Sequence, residues 1–109
     1  MNEFIDNLKL AGGEILSEIP KDWYQIKAEF GVAENGSVFV SKYTKELFLS
    51  ENVVVILDKN KIYSKMTDVM EFVEEGVFIS GPSKTADVES FLVFGAHGAM
   101  RMGVVVCSK

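Results

Sequence analysis

The sequence predicts a single α/β domain, built as a three-layer sandwich with a largely parallel sheet and one antiparallel hairpin. Two unbroken apolar runs, VVVIL at 53–57 and VVVC at 104–107, are typical of strands buried on both faces of a sheet. Helical and strand patterns alternate through this half of the chain, which favours parallel strands. An Asn-Gly pair at 35–36 lies between two apolar segments and predicts the hairpin. The 109 residues suffice for one core, so we expect one domain over residues 1–109.

The first part of the chain predicts one helix followed by less regular structure. Apolar residues recur there at helical spacing: Phe4, Ile5, Leu8 and Ala11. Asn2 can cap this helix, and Gly12-Gly13 ends it. Residues 14–19, EILSEI, predict a short strand before Pro20, and residues 23–26 predict a helical turn or a loop.

The hairpin is predicted to join residues 28–34 to residues 37–41 through a two-residue turn at Asn35-Gly36. Both turn positions tolerate the positive φ that such a turn requires. In that register Val32 faces Phe39, and apolar side chains point to both faces of the hairpin. A hairpin with two apolar faces is expected inside a layered domain.

The segment 64–98 predicts a helix, a strand and a second helix, in that order. The first helix ends at Gly76. Its apolar face comprises Met66, Val69, Met70 and Val73. A strand follows at residues 77–80, VFIS, and a second helix is predicted from Ala86 to Phe94, closed by Gly95.

The loop between this strand and the second helix, Gly81–Thr85, is predicted to bind an anion. A helix start exposes unpaired backbone N–H groups and the positive end of the helix dipole. These groups suit a phosphate or a carboxylate, and Lys84 adds a positive charge beside them. Ser83 and Thr85 can instead cap the helix, which would leave a well-capped helix without a ligand.

Composition and charge argue against several classes of function. The formal net charge of -5, without a compensating Lys/Arg cluster, argues against nucleic-acid binding. No apolar run reaches membrane-spanning length, and the acidic N-terminal segment does not resemble a secretory signal. Cys107 is the only cysteine, so no intrachain disulfide can form and the chain alone cannot hold an iron–sulfur cluster or a structural zinc ion. We therefore expect a cytoplasmic protein without a cofactor or a metal site.

The stretch from Gly81 to Val106 resembles the signature of the LUD domain, the domain of the lactate-utilisation protein C family. In that family a strand ends in Gly-Pro-Ser, followed by Arg/Lys-Thr-Ala-Asp-Ile/Val-Glu, a helix and Gly-x-His-Gly-Pro. The matching residues are Gly81, Pro82, Ser83, Lys84, Thr85, Ala86, Asp87, Val88, Glu89, Gly95, His97 and Gly98. The chain departs at Ala99, where the family usually has proline. The resemblance implies a fold of the NagB/RpiA/CoA-transferase-like type, in agreement with the predicted α/β class.

The hairpin turn carries a second resemblance. The family has Ala-Glu-Thr-Gly-Thr where this chain has Ala33-Glu34-Asn35-Gly36-Ser37. Glu34-Asn35-Gly36 also resembles the Ser-Glu-Asn-Gly motif that holds the nucleophilic glutamate of CoA-transferases, with Ala33 in place of serine. The resemblance implies that the Glu34 carboxylate attacks a thioester. The alternative is a solvated glutamate at a polar hairpin turn.

His97 is the only histidine and follows the predicted second helix. Histidine is the side chain whose charge changes near neutral pH, and the family match makes His97 a candidate for proton transfer. The alternative is a turn residue that bonds a backbone carbonyl. The candidate catalytic residues are thus Glu34 and His97, and the candidate ligand-binding residues are Gly81, Ser83, Lys84, Thr85, Asn35, Gly36 and Ser37.

Three functions remain open at the level of sequence. The resemblance implies an accessory or ligand-binding component of lactate utilisation, which binds a small carboxylate or phosphate and works with iron–sulfur partner proteins in oxidising L-lactate to pyruvate. A second reading is an acyl-CoA or sugar-phosphate transferase or isomerase that uses Glu34. A third is a structural dimer domain with no ligand.

The resemblance covers the chain from about Ala28 to Val106, and the N-terminal part matches weakly. LUD proteins are usually longer, with further helices and strands ahead of the hairpin motif. We therefore expect a form shortened in its N-terminal part, in which uncovered sheet edge or apolar surface is buried against a second copy. A homodimer is the predicted assembly.

Overall fold

The structure, a computed structural model, describes residues 2–42, 46–73, 75–79, 86–88, 91–93 and 101–107. Within these ranges it is a mixed α/β domain with two sheets and short helices. The elements in chain order are α1 (Asn2–Leu10), β1 (Glu14–Ile15), β2 (Tyr24–Lys27), β3 (Phe30–Val32), β4 (Ser37–Val40), α2 (Glu46–Leu49), β5 (Asn52–Asp58), a 3-10 turn (Lys59–Lys61), β6 (Ile62–Tyr63), α3 (Met66–Val69), β7 (Val77–Ile79), β8 (Ala86–Val88), β9 (Phe91–Val93) and β10 (Arg101–Cys107). None of the described helices is long and apolar enough to cross a membrane.

The first sheet is parallel, and the two apolar runs of the sequence form its centre. Its strands lie in the order β1-β10-β5-β2, and each neighbouring pair is parallel. Strands β10 and β5 pair along their full length, from Arg101 opposite Asn52 to Cys107 opposite Asp58. The predicted α/β class with a largely parallel sheet is therefore confirmed.

The second sheet is mixed, with the strand order β6-β3-β4-β7-β9-β8. Strands β3 and β4 form the predicted hairpin, and β7 pairs antiparallel with the other side of β4. The strand predicted at 77–80 is thus present as β7, but it belongs to this sheet and not to the parallel one.

The chain passes directly from the first sheet into the second between β2 and β3. The backbone N–H of Ala28 donates to the carbonyl oxygen of Ile56 in β5 (2.9 Å). The next N–H, that of Glu29, donates to the carbonyl oxygen of Phe39 in β4 (2.7 Å). One residue extends the first sheet and the following one extends the second, so no loop separates them.

Two apolar clusters lie on opposite faces of the second sheet. Along β4, Val38 and Val40 contact one cluster and Phe39 the other, as the alternation of a strand requires. The first cluster fills the space between the two sheets and includes Phe4 and Leu8 of the predicted helix α1. The second is rich in aromatic residues and includes a residue of α3. The hairpin is therefore buried on both faces, as its sequence predicted.

The helix predicted from Ala86 to Phe94 is wrong, because its described residues form strands β8 and β9. Leu92 of β9 lies opposite Val77 in a parallel pair and opposite Asp87 in an antiparallel pair. The edge of β7 thus supplies backbone partners that outweigh helix propensity, and the β-branched and aromatic residues of this segment suit strands. The anion site predicted at Gly81–Thr85 relied on the start of this helix. Strand β8 takes the place of that helix start.

The hairpin differs from its prediction in register. Val32 lies opposite Ser37, two residues away from its predicted partner, so four residues, 33–36, connect the strands. The first two turn residues donate their backbone N–H groups to the carbonyl oxygens of Tyr63 (2.7 Å) and Ser64 (3.0 Å). They continue the parallel pairing of β3 with β6, which removes them from the hairpin.

Two shorter predictions also need correction. Residues 23–26, predicted as a helical turn or a loop, belong mostly to β2, because Tyr24–Lys27 pairs with β5. The helix predicted after residue 64 is reduced to the four residues of α3. The following turn still lets Phe72 donate its backbone N–H to Val69 (3.1 Å).

Helix α1 packs directly against the hairpin turn. The Asn7 side chain donates from Nδ2 to the carbonyl oxygens of Ala33 (2.8 Å) and Glu34 (3.1 Å). Gly36 has a φ of 65°, and a Cβ atom there would lie 2.3 Å from the backbone nitrogen of Leu8. Only glycine combines this backbone conformation with so close a contact.

An ion pair links the edge strand β1 to the centre of the first sheet. Arg101 donates from Nε to Glu14 Oε2 (2.8 Å) and from Nη2 to Glu14 Oε1 (2.7 Å). The Cζ atom of Arg101 also lies 4.8 Å from the ring centroid of Trp23. The hydrogen bond from Arg101 lowers the pKa of Glu14 below its ordinary value of 4.5, against the opposing effect of burial.

We expect Gly36→Ala to destabilise the domain more than Gly12→Ala. Both glycines have positive φ, 65° and 96°, so each substitution introduces the strain of a left-handed backbone, about 1 kcal/mol. Gly12 is exposed, whereas the methyl group at Gly36 also meets the backbone of α1, so its total cost should reach about 3 kcal/mol. Urea unfolding of the two variants measures the difference, and equal losses would contradict the tight contact.

We expect the stabilising effect of the Glu14–Arg101 pair to vanish in acid. Because the pKa of Glu14 is lower in the folded state, its contribution is complete above the unfolded value near 4.5 and is lost as the pH falls through the lower folded value. Urea unfolding from neutral pH to about pH 3 should show the free energy of the native chain approaching that of Glu14→Gln. Glu18→Gln, at an exposed glutamate, is the control. A gap that is independent of pH would refute this linkage.

Candidate functional site

Three strands of the second sheet end at the edge that carries the hairpin turn. Strands β3 and β6 are parallel, and β7 runs in the same direction because β3 and β7 are both antiparallel to β4. Ile79, the last residue of β7, lies opposite Val38, which lies opposite Gly31. Strand β7 therefore ends about 10 Å from β3 along the sheet. We call this edge, formed by residues 33–37, residues 64–66 and the end of β7, the turn edge.

The structure brings some of the predicted site residues together at the turn edge. Glu34, Asn35, Gly36 and Ser37 are neighbours there. The predicted ligand-binding residues Gly81, Ser83, Lys84 and Thr85 and the predicted catalytic residue His97 lie outside the described residues. The first four follow β7 in the sequence, and their role stays a prediction.

Asn35 and Ser37 hold the shape of the turn. Asn35 Oδ1 accepts hydrogen bonds from the backbone N–H of Ser37 (3.2 Å) and from its Oγ (2.7 Å). Ser37 is only 1% exposed, and Gly36 is buried against α1. Asn35 is exposed, so within this motif it presents polar atoms to solvent. The ligand role predicted for these three residues stays a prediction.

The Glu34 carboxylate is fixed to the start of α3. Its Oε2 atom accepts a hydrogen bond from the backbone N–H of Met66 (2.9 Å), the first residue of that helix. Asp68 assists the same helix start, because its Oδ2 accepts from the N–H of Lys65 (3.0 Å). The bond gives Glu34 a structural role that its sequence motif did not predict. Glu34 is nevertheless exposed, and its role as a nucleophile stays a prediction.

A second concave region lies at the other end of β3, and the sequence patterns did not reveal it. One part, which we call the aromatic cleft, has a volume of about 470 Å³ and is lined by Phe30, Tyr63 and Phe72 among others. The adjoining part, the strand-end cavity, has a volume of about 410 Å³. A polar or reactive residue ends each apolar strand, Asp58 in β5 and Cys107 in β10. These two residues are the sequence feature that could have indicated the cavity.

The described residues include no group of three His, Cys, Asp or Glu side chains that could hold a metal ion. Cys107 is partly buried at the end of β10.

The sequence matches a family model, that of the LUD domain, over residues 21–107. The chain belongs to the LUD domain family. Two of its relatives are named Lactate utilization protein C: that of Geobacillus thermodenitrificans is 29% identical over 94 residues, and that of Bacillus pumilus is 32% identical over 89 residues. An uncharacterized protein of Neisseria meningitidis is 35% identical over 83 residues. No solved structure matches the chain significantly.

This LUD domain spans well under half of the length of these relatives. The three alignments cover 72%, 68% and 65% of this chain but 39%, 37% and 36% of the respective relative. The family match includes the turn edge and the segment from Gly81 to Val106, so the resemblance to the LUD signature is confirmed. It also begins at residue 21, ahead of the start at Ala28 that the motifs indicated.

We expect Glu34→Ala to destabilise this LUD domain by about 1 kcal/mol, because the first backbone N–H of α3 loses its acceptor. Glu34→Gln should cost less, since the amide oxygen can accept the same hydrogen bond. Urea unfolding measures both effects, and Glu18→Ala, at another exposed glutamate, is the matched control. If all three substitutions cost the same, the bond between Glu34 and Met66 contributes nothing to stability.

Proposed function

We propose that this LUD domain acts in lactate utilisation as a binding domain for a small carboxylate or phosphate anion, held by the Gly81–Thr85 segment. The relatives named Lactate utilization protein C support a role in lactate utilisation. The observation that carries the binding role is the shared direction of β3 and β7. Both strands end at the turn edge, and the Gly81–Thr85 segment follows β7 in the sequence, which supports a site shared with the Glu34–Ser37 turn.

The chemistry of the Gly81–Thr85 segment suits an anion. Lys84 provides a positive charge, and Ser83 and Thr85 provide hydroxyl donors. Strand β8 begins at Ala86, so the proposal rests on these side chains and not on the dipole of a helix. The exposed side chain of Asn35 at the turn edge supplies a further polar group.

The oxidation of lactate to pyruvate removes two electrons and two protons, and the chain has a single cysteine with which to hold redox centres. We therefore assign the electron transfer to an iron–sulfur partner and the binding of the organic anion to this domain. The homodimer predicted from the sequence remains a further part of the proposal. Exposed apolar side chains such as Leu10, which is 83% exposed, would be covered either by an iron–sulfur partner or by a second copy of this chain.

We expect the chain to bind L-lactate, pyruvate or inorganic phosphate, and Lys84→Gln to weaken that binding about tenfold. A charged hydrogen bond is typically worth the 1.4 kcal/mol to which such a change corresponds. Isothermal titration calorimetry with each of the three anions measures the dissociation constants. Lys21→Gln, at an exposed loop lysine, removes the same charge and is the matched control.

Two results would overturn the binding role. One is the absence of binding for all three anions. The other is an equal loss of affinity in Lys84→Gln and Lys21→Gln, which would assign the effect to net charge and not to a site.

A further inference from the structure

We propose that this domain has a second binding site, for a mononucleotide, in the groove formed by the aromatic cleft and the strand-end cavity. This site goes beyond the proposed function and uses other residues. The two cavities adjoin, because Glu29 and Lys61 line both of them. The groove lies at the amino end of β3, whereas the turn edge follows the carboxyl end of that strand.

The aromatic cleft provides a platform for a planar ring. Phe30, Tyr63 and Phe72 contact one another, with ring centroids 5.6 to 5.7 Å apart. Phe30 in turn stacks on Phe39, with ring centroids 5.0 Å apart, so the three rings belong to a larger packed aromatic cluster. Phe72 is 51% exposed and Tyr63 is 37% exposed, although both belong to a packed cluster. Rings that are fixed below and open above stack well with a nucleobase.

The strand-end cavity provides two ammonium groups that can bind a phosphate. Lys27 and Lys61 both line it, and neither forms a salt bridge with any described residue. Two acids, Glu29 and Asp58, also line this cavity and keep their negative charge, but one oxygen of each is bonded within the protein. Glu29 Oε2 accepts from the hydroxyl of Ser41 (2.8 Å), and Asp58 Oδ1 accepts from the backbone N–H of Asn60 (2.9 Å). The charged donors without a described partner are therefore the two ammonium groups, which suit a phosphate.

The position of the cavity in the fold supports the same conclusion. Strands β2, β5 and β10 of the parallel sheet end in Lys27, Asp58 and Cys107, and all three residues line this cavity. In α/β domains, ligands bind beyond the carboxyl ends of parallel strands. Each of the two volumes, about 470 and 410 Å³, also lies in the range of small-molecule sites.

The position of Lys61 favours one ligand that spans both cavities over two separate molecules. Its side chain lines both the aromatic cleft and the strand-end cavity. A molecule that carries a ring and a phosphate can use both parts at once, and it avoids the entropic cost of binding two separate molecules. The geometry therefore points to a nucleoside monophosphate and not to free phosphate or a free aromatic compound.

The test is the binding of AMP and UMP to the full chain, measured by isothermal titration calorimetry and by NMR shifts, beside adenosine and inorganic phosphate. We expect a nucleotide to bind more tightly than either fragment. Phe72→Ala should weaken nucleotide binding about fivefold or more, the effect of losing one stacked ring. Lys61→Gln should weaken it by a similar factor, because the phosphate loses a charged donor.

The 3-10 turn supplies the matched control for charge. Lys59 and Lys61 are both exposed and belong to the same turn, but only Lys61 lines the groove. Lys59→Gln should leave the affinity unchanged, and Phe72→Leu, which preserves apolar contacts, separates loss of the ring from loss of folding. The proposal is overturned if neither nucleotide binds up to about 1 mM. It is also overturned if the NMR shifts of the groove residues show that inorganic phosphate or adenosine binds there as tightly as a nucleotide, or if Lys59→Gln and Lys61→Gln have equal effects.

Discussion

The direct passage of the chain from β2 into β3 is the constraint on which both candidate sites depend. Ala28 is hydrogen-bonded to the first sheet and Glu29 to the second, so the junction ties the start of β3 to the end of β5. At its amino end, this junction places the carboxyl end of the parallel sheet beside the aromatic face of the second sheet, which creates the groove. At its carboxyl end, β3 delivers the Glu34 motif to the turn edge, where α1 and α3 contact it.

Elements whose sequence pattern reflects their own burial were predictable, and elements decided by a distant partner were not. The runs at 53–57 and 104–107 are apolar at every position, and β5 and β10 lie at the centre of the parallel sheet with each of these residues buried or partly buried, so pattern and structure agree. The hairpin register failed because the turn residues bond to Tyr63 and Ser64, thirty residues further along the chain. The helix at 86–94 failed because the edge of β7 offers a competing set of backbone partners.

The candidate sites divide in the same way. The motif at Glu34 could be found from the sequence because its residues are contiguous. The hydrogen bond from Met66 that fixes its carboxylate could not, because no pattern links these two positions. The groove is still harder to predict from the sequence, because its rings come from three different elements. They are Phe30 from β3, Tyr63 from β6 and Phe72 from the turn after α3. Each of these residues has an ordinary apolar role in the sequence, and only the register of the second sheet brings their rings together.

The net charge of the chain does not by itself determine whether the domain binds an anion, because binding depends on local geometry. A chain with a formal charge of -5 repels anions at long range, and this argued against nucleic acid as a partner. That repulsion is screened over roughly 8–10 Å at physiological ionic strength, whereas a lysine at a cavity wall acts within hydrogen-bonding distance. Lys27 and Lys61 share one cavity, and the acids beside them already bond to Ser41 and to the Asn60 backbone. An acidic domain can therefore still present ammonium donors at a cavity wall, and the position of its lysines matters more than their number.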